Sequence, residues 1–312
     1  MKIDICIPVY KPDDKLRQLI EMLFQQSVSV NKIILYNTGE ENFLSWIKTY
    51  APDFSEKYQN IEVHHITRLE FDHGRSRNQA RCYCDADTDI IVYMTQDAVP
   101  ANQEMLSALV KPLMESAADI SYARQIPAPD SDVAECFTRA FNYPDKTSIK
   151  SKEDLGALGI KTYFCSNVCA AYKRQTFEKY GEFVAKTIFN EDMIFAAKVI
   201  DNGGSVAYAA DAQVIHAHHY TNMQQFKRNF DLAVSQAEHP EVFAKVSSES
   251  EGVRYVEAAY VYFKSVHKGI KIIPFVITCG YKYIGFWLGH RYQRFSEAFI
   301  MKCTMNQNYW RT

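Results

Sequence analysis

The chain lacks a surplus of positive charge. Its 312 residues include 35 Lys and Arg against 37 Asp and Glu, a net charge of −2. Dedicated nucleic-acid binders carry a basic excess, so no nucleic-acid partner is expected. Paired CxxC knuckles are missing too. The eight cysteines are scattered, several inside apolar runs such as Ile5-Cys6-Ile7. That excludes an obvious zinc or disulfide framework and leaves reduced thiols as the expectation. No apolar run reaches the roughly 18 uninterrupted residues of a membrane span. The nearest, residues 272–288, contains Pro274 and Lys282. Met1-Lys2-Ile3-Asp4 enters a strand pattern at once, so no signal peptide is expected and a cytoplasmic location is. Internal repeats and low-complexity tracts are also lacking. With 47% hydrophobic and 23% charged residues, the chain is globular, neither disordered nor fibrous.

What is present is alternation. Residues 3–7 read as a short buried strand, and Leu16, Leu19, Ile20, Leu23 and Phe24 then recur at helical spacing. Strand patterns return at residues 32–36, 61–66 and 89–94, with helical patterns around 43–50 and 75–84 between them. Such a β-α-β-α order predicts an α/β fold, a mostly parallel Rossmann-like sheet flanked by helices. Ligands of such sheets bind beyond the carboxyl ends of the strands. The loops at Pro8-Val9-Tyr10, Asn37-Thr38, 71–78 and 95–100 are therefore expected to line one crevice. Periodicity fades over 127–159, which reads as a loop-rich lid or acceptor-side insertion. Order resumes with residues 163–172 and helices at 174–180 and 191–202. Two strands follow at 205–208 and 213–216, then helices at 223–236 and 251–267. The last stretch, 268–312, carries seven basic residues and the single acid Glu297, and holds Trp287 and Trp310.

Several groups in this layout could do chemistry. Asp97, at a strand end, suits a divalent cation against a diphosphate, and equally a turn before Pro100. Asn190 reads as an N-cap with Glu191 and Asp192 in the first helical turn. One of those acids could also face the cleft as a general base. If the chain stays extended, His216 and His218 point to the same side, as metal ligands or as a structural pair. Asp72, Arg75 and Arg77 border a helix start whose N–H groups suit a diphosphate, or which is merely solvated.

Taken in order, Pro8-Val9-Tyr10, Arg77-Asn78, Gln96-Asp97, Glu191-Asp192 and His216 resemble a family 2 glycosyltransferase with the GT-A fold, over about residues 3–220. Phe71-Asp72-His73-Gly74 with Thr95-Gln96-Asp97-Ala98, and the tail from Lys282 to Trp310, look like the bacterial rhamnosyltransferase-like branch. The resemblance implies a catalytic domain over 1–220, its nucleotide-binding part about 1–100 and its acceptor part about 101–220. A helical C-terminal extension with the basic aromatic tail follows over 221–312. It implies Asp192 as the general base, with Glu191 on the acceptor side. Asp97 with His218, or less readily His216, would hold Mg²⁺ or Mn²⁺. Pro8, Val9, Tyr10, Asn37, Asp72, Arg75, Arg77, Gln96 and Asp97 would surround the nucleotide sugar. The sequence departs from the family pattern at Thr95, where the first Asp of an Asp-x-Asp motif usually sits, and at Asn37, where many members carry Asp.

The implied reaction is inverting, metal-dependent transfer of a hexosyl group. Its donor would be dTDP-rhamnose, and its acceptor a glycan or lipid-linked oligosaccharide of a cell-surface polysaccharide such as O-antigen or capsule. A UDP-hexose donor, a nucleotidyltransferase and a non-catalytic nucleotide-sugar binding module are the alternatives. The second is disfavoured because Pro8 to Pro12 contains no glycine. Basic residues interleaved with Phe275, Tyr281, Tyr283, Phe286, Trp287, Tyr292, Phe295 and Phe299 predict peripheral docking on an anionic membrane at its cytoplasmic face. The alternative is packing of those aromatics on the catalytic domain or on a second subunit.

Overall fold

A computed structural model of the chain describes residues 1–244 and 249–311; Thr312, the end of the expected tail, lies outside them. The strands are β1 (Ile3–Tyr10), β2 (Lys32–Thr38), β3 (Ile61–Ile66), β4 (Ile90–Met94), β5 (Val99–Pro100), β6 (Ile120–Ile126), β7 (Ser148–Lys150), β8 (Cys169–Lys173) and β9 (Val206–Ile215). They form one sheet in the order β3-β2-β1-β4-β8-β6-β9-β5, with β7 paired to β9.

The first half follows from local pattern. Strands β3, β2, β1 and β4 are parallel, with β2 and β4 on opposite sides of β1. That reversal opens a crevice beyond their carboxyl ends. Alternate side chains enter two cores: Ile5, Ile7, Ile33 and Leu35 on one face, Cys6, Ile34, Ile91 and Tyr93 on the other. The helix Asp14–Leu23 buries Leu16, Leu19, Ile20 and Leu23, and Asp13 caps it by accepting from the Lys15 amide.

The second half of the sheet is mixed. Strand β8 runs antiparallel to β4 and β6, β9 is parallel to β6, and β5 and β7 are antiparallel to β9. Segments 205–208 and 213–216, expected as separate strands, form the single strand β9. Its register on β6 slips between Ala123 and Arg124, leaving Ala210, Asp211 and Ala212 without β6 partners. Residues 127–159 are not all loop. Asp132 caps a helix Val133–Asn142 by accepting from the Glu135 amide. Val133, Ala134, Phe137 and Phe141 form a one-sided apolar stripe at helical spacing, a pattern that the reading of 127–159 as loop passed over.

Beyond residue 221 the chain is helical: Asn222–Glu238, Glu249–Ser265, Ile272–Gly289 and Glu297–Cys303 are the main elements. Pro274 lies in the first turn of Ile272–Gly289, where a missing N–H forfeits no helical hydrogen bond. The apolar stretch is therefore unbroken. Gly269–Gly289, with a mean hydropathy of 1.3, is long and apolar enough to cross a membrane by length and composition alone. This helix lies along Asn222–Glu238. A Cβ at Gly285 or Gly289 would stand 2.2 or 2.3 Å from the carbonyl oxygens of Phe226 and Phe230, so the close approach requires glycine.

The expected aromatic tail divides. Phe275 is buried with Phe137 and Phe263, and Tyr292, Phe295, Tyr309 and Trp310 pack around Ile188 and Phe230. Buried Asp231 clamps the chain end, accepting from Thr304 Oγ1 at 2.7 Å and from the Met305 amide at 2.8 Å. Ile273, Val276, Ile277, Tyr283, Ile284 and Trp287 stay exposed along one helix face.

Candidate active site

Strand pairing builds the first cluster. After β4 the chain turns through 95–98 and reverses as β5, whose Val99 lies opposite Ile215 of β9. Asp97 thereby meets the residues that leave β9. His216 Nε2 lies 3.5 Å from Asp97 Oδ1, and His218 Nε2 lies 3.6 Å from Oδ2. Both rings lie on the same side, with centroids 4.4 Å apart. Both histidines join Asp97, where the resemblance implied chiefly His218.

Burial lowers the pKa of both imidazoles; for His218 the neighbouring His216 adds to this, bringing it to about 4. Both shifts favour the neutral ring, which presents a lone pair to a cation. The three donors lie within 4.8 Å of one another. Two imidazole nitrogens and a carboxylate fit a divalent cation, and the nitrogens favour Mn²⁺ over the oxygen-seeking Mg²⁺.

The crevice beyond β1, β2 and β4 carries the other expected residues. The Gln96 side chain clips the end of β1, accepting from the Tyr10 amide and donating to the Tyr10 carbonyl, each at 2.9 Å. The Tyr10 ring is exposed at the strand end, whereas Val9 points into the core and Pro8 is half-buried. Asn37 is buried; its Nδ2 donates to the Gly39 carbonyl at 3.1 Å and to His65 Nδ1 at 2.9 Å. Its Oδ1 has no protein partner.

The helix His73–Arg81 is not an open anion site. Asp72 caps it, accepting from the amides of Gly74 at 2.9 Å and Arg75 at 3.1 Å through Oδ1, and from Thr187 at 3.3 Å through Oδ2. Gly74 is pressed against the neighbouring backbone, where a Cβ would stand 1.8 Å from the Val184 carbonyl oxygen. Arg77 turns inward and pairs with Glu191 at 3.0 Å, both side chains buried. Asp72 and Arg77 are therefore both engaged within the protein, and Glu191 is the ion-pair partner of Arg77. Arg75 alone of the three faces solvent.

Asn190 does not cap the next helix. It adopts a left-handed backbone with φ of 65° and makes no cap bond; its Nδ2 donates to the Leu232 carbonyl at 3.5 Å. This turn is one that Asn tolerates better than most residues. It presents Asp192 in the first helical turn, one residue after Glu191 and half-buried. Asp192 accepts from the amides of Asn167 and Met193, each at 2.8 Å. Burial first, and then the charge of Glu191, push its pKa up to about 7. The following residue, Val168, accepts from the Thr95 amide at 3.0 Å. Asp192 and Asp97 are thus joined through one short backbone link between β4 and β8.

Sequence reasoning missed the groups behind these side chains. Gln125, Tyr143 and Ser166 form a buried polar cluster against His216. Arg228 lies over Phe189 at 4.7 Å and Tyr220 at 5.8 Å. The capping pattern Asp132-x-x-Glu135 and the apolar stripe Val133, Ala134, Phe137 and Phe141 were the signals available for the helix that carries Arg139.

A family model for glycosyl transferase family 2 matches residues 4–181. The chain is 32% identical over 316 residues to the O-antigen chain rhamnosyltransferase RfbN of Salmonella typhimurium, covering 99% of this chain and 96% of that protein. It is 35% identical over 251 residues to the O-antigen chain rhamnosyltransferase WbaN of Salmonella anatum, covering 78% of each. Among solved structures, the mannosyltransferase PcManGT from Pyrobaculum calidifontis, in complex with GDP-Man and Mn²⁺, is 12% identical with a TM-score of 0.56, over 100% of this chain and 88% of that one. S. aureus TarS is 15% identical with a TM-score of 0.53, over 94% and 91%. At such identities these two structures bear on the fold alone. The mixed sheet, its crevice and the two sequence relatives agree, and the chain belongs to glycosyl transferase family 2, with a GT-A-like fold and a helical C-terminal region.

Proposed function

We propose that this chain is an inverting rhamnosyltransferase of O-antigen synthesis, moving L-rhamnose from dTDP-β-L-rhamnose to a lipid-linked glycan. The sugar and pathway rest on the likeness to RfbN and WbaN. The chemistry rests on one observation: Asp192, a carboxylate whose pKa is raised to about 7, holds the Asn167 amide, and the next residue, Val168, bonds Thr95 at the start of the turn that carries Asp97 of the Asp97–His216–His218 cluster.

A sugar hydroxyl is a poor nucleophile and needs a base to take its proton as the new bond forms. Asp192 is that base, held by two backbone amides, while the neighbouring Glu191 takes Arg77 as its ion-pair partner. Asp97, His216 and His218 would hold Mn²⁺, which when bound neutralises charge on the departing diphosphate. The Tyr10 ring suits stacking on the base, and Asn37 Oδ1 is an acceptor for the N3–H of a pyrimidine. Arg75 is free to reach the diphosphate. Attack opposite the leaving group converts the β-linked donor into an α-L-rhamnoside.

Calorimetry with Mn²⁺ and a panel of nucleotide sugars tests the donor. dTDP-rhamnose is expected to bind most tightly, and tighter binding of a UDP-hexose would overturn it. Release of pyrophosphate would instead identify a nucleotidyltransferase, and absence of turnover with every donor a binding module.

A lipid-linked acceptor brings the enzyme to a membrane surface, and the exposed stripe on Ile272–Gly289 suits the cytoplasmic face. Lys268 and Lys271 precede this helix, Arg291 and Arg294 follow it, and no acid lies between 268 and 296. Each such cation contributes about 1 kcal/mol near an anionic leaflet, and Trp and Tyr favour the interface. The protein is expected to co-sediment with anionic vesicles at low salt, and Ile277→Asp with Trp287→Asp to abolish this while the fold persists. A folded protein that stays in the supernatant rejects the docking. Self-association lost in the same double variant would assign the stripe to a second copy of the chain.

A further inference from the structure

Gln125 lies near the end of β6, 3% exposed, beside the candidate cation site. The register slip in β9 sets Gln125 opposite Val214, and the His216 amide donates to the Ile126 carbonyl at 3.1 Å. The Gln125 side chain meets four polar groups. Its Oε1 accepts from Arg139 Nη1 and lies 2.9 Å from His216 Nδ1. Its Nε2 donates to Tyr143 Oη at 2.6 Å and Ser166 Oγ at 3.0 Å.

Hydrogen positions follow from this arrangement by elimination. A guanidinium only donates, so the amide atom facing Arg139 is the oxygen. His216 Nδ1 faces the same oxygen and must carry the ring proton. A ring that binds a cation can carry only that one proton, so Nε2 is left as a lone pair, 3.5 Å from Asp97 Oδ1. Two acceptors then face each other in a mostly buried site, an arrangement that repels by itself and attracts once a cation stands between them. Arg139 cannot drift, because its Nε donates to Glu135 at 2.7 Å, one turn earlier on the same helix.

We propose that Gln125, oriented by Arg139, is a positioning residue that fixes His216 with its proton on Nδ1 and turns Nε2 toward a divalent cation shared with Asp97 and His218. The proposal rests on the metal-dependent reading above and names the device that prepares the site for the cation. Groups behind metal-bound histidines set tautomer and ring orientation, and losing one typically weakens binding about 10–100-fold.

Two measurements test it, neither using enzyme activity. Long-range ¹H–¹⁵N correlation on the metal-free wild type is expected to find His216 protonated at Nδ1; an Nε2–H tautomer overturns the proposal. Mn²⁺ titration by calorimetry is expected to show about 10–100-fold weaker binding in Gln125→Leu. Gln125→Glu should retain wild-type affinity, because its carboxylate still accepts from Arg139 and His216 while the Tyr143 and Ser166 hydroxyls rotate to donate. Wild-type affinity in a folded Gln125→Leu overturns the proposal. If that variant fails to fold, Gln125→Glu and the wild-type tautomer decide alone, and a large affinity loss in Gln125→Glu counts against it. Failure of wild type to bind Mn²⁺ would instead reject the metal-dependent reading, a result separate from the tautomer.

Discussion

Asp192→Asn is expected to lower the transfer rate about 10²–10⁴-fold, the usual share of a positioned general base, while donor affinity stays at the wild-type level. The amide is nearly isosteric with the carboxylate but cannot take the acceptor's proton. One of its two ends no longer accepts, so a hydrogen bond to Asn167 or Met193 is lost, at about 1 kcal/mol. Removing a charge that burial and Glu191 both oppose offsets part of that loss. Cooperative unfolding should therefore survive, and single-turnover transfer is the measurement that decides. Transfer at the wild-type rate would remove Asp192 from the mechanism.

The same group sets the pH dependence. With its pKa pushed up to about 7, Asp192 is mostly protonated below that value and unable to act as a base. The rate is expected to fall about tenfold per pH unit on the acid side of 7. Stability runs the other way: the raised folded value means this group's contribution is full below its unfolded pKa and lost as pH rises through about 7. A rate that falls while the protein grows no less stable separates loss of the base from acid unfolding.

Asp97→Ala is expected to abolish detectable Mn²⁺ binding and to lower kcat/KM about 10³-fold or more, as several kcal/mol of transition-state charge stabilisation disappears. The neutral His216 and His218 remain, and two imidazoles alone are a weak partner for Mn²⁺. Asp97 raises the pKa of both rings, so its loss favours their neutral forms further and the fold should persist. Nucleoside diphosphate affinity should fall together with metal affinity, and chelation of wild type with EDTA should reproduce the loss. Full activity after exhaustive chelation would return Asp97 to the role of a turn residue ahead of Pro100.

The parallel half of the sheet and the position of its crevice were readable from residues 3–94, because buried strands and amphipathic helices declare themselves through local periodicity. So was the location of Asp97 at a strand end and of Asp192 in a first helical turn, since both depend on neighbours close in the chain. Which carboxylates and cations face the crevice was decided only by tertiary structure. Arg75 and Arg77 are two positions apart on one helix; the second turns inward because Glu191, from a distant segment, supplies its partner. Asn190 looked like a cap, yet its backbone is left-handed and its side chain reaches the Leu232 carbonyl of the helix Asn222–Glu238 instead. The union of Asp97 with His216 and His218 needed β5 to pair with β9, and Gln125 reached His216 only through the register slip in β9. Sheet register between strands far apart in sequence follows from burial on both faces at once, and no local pattern encodes it.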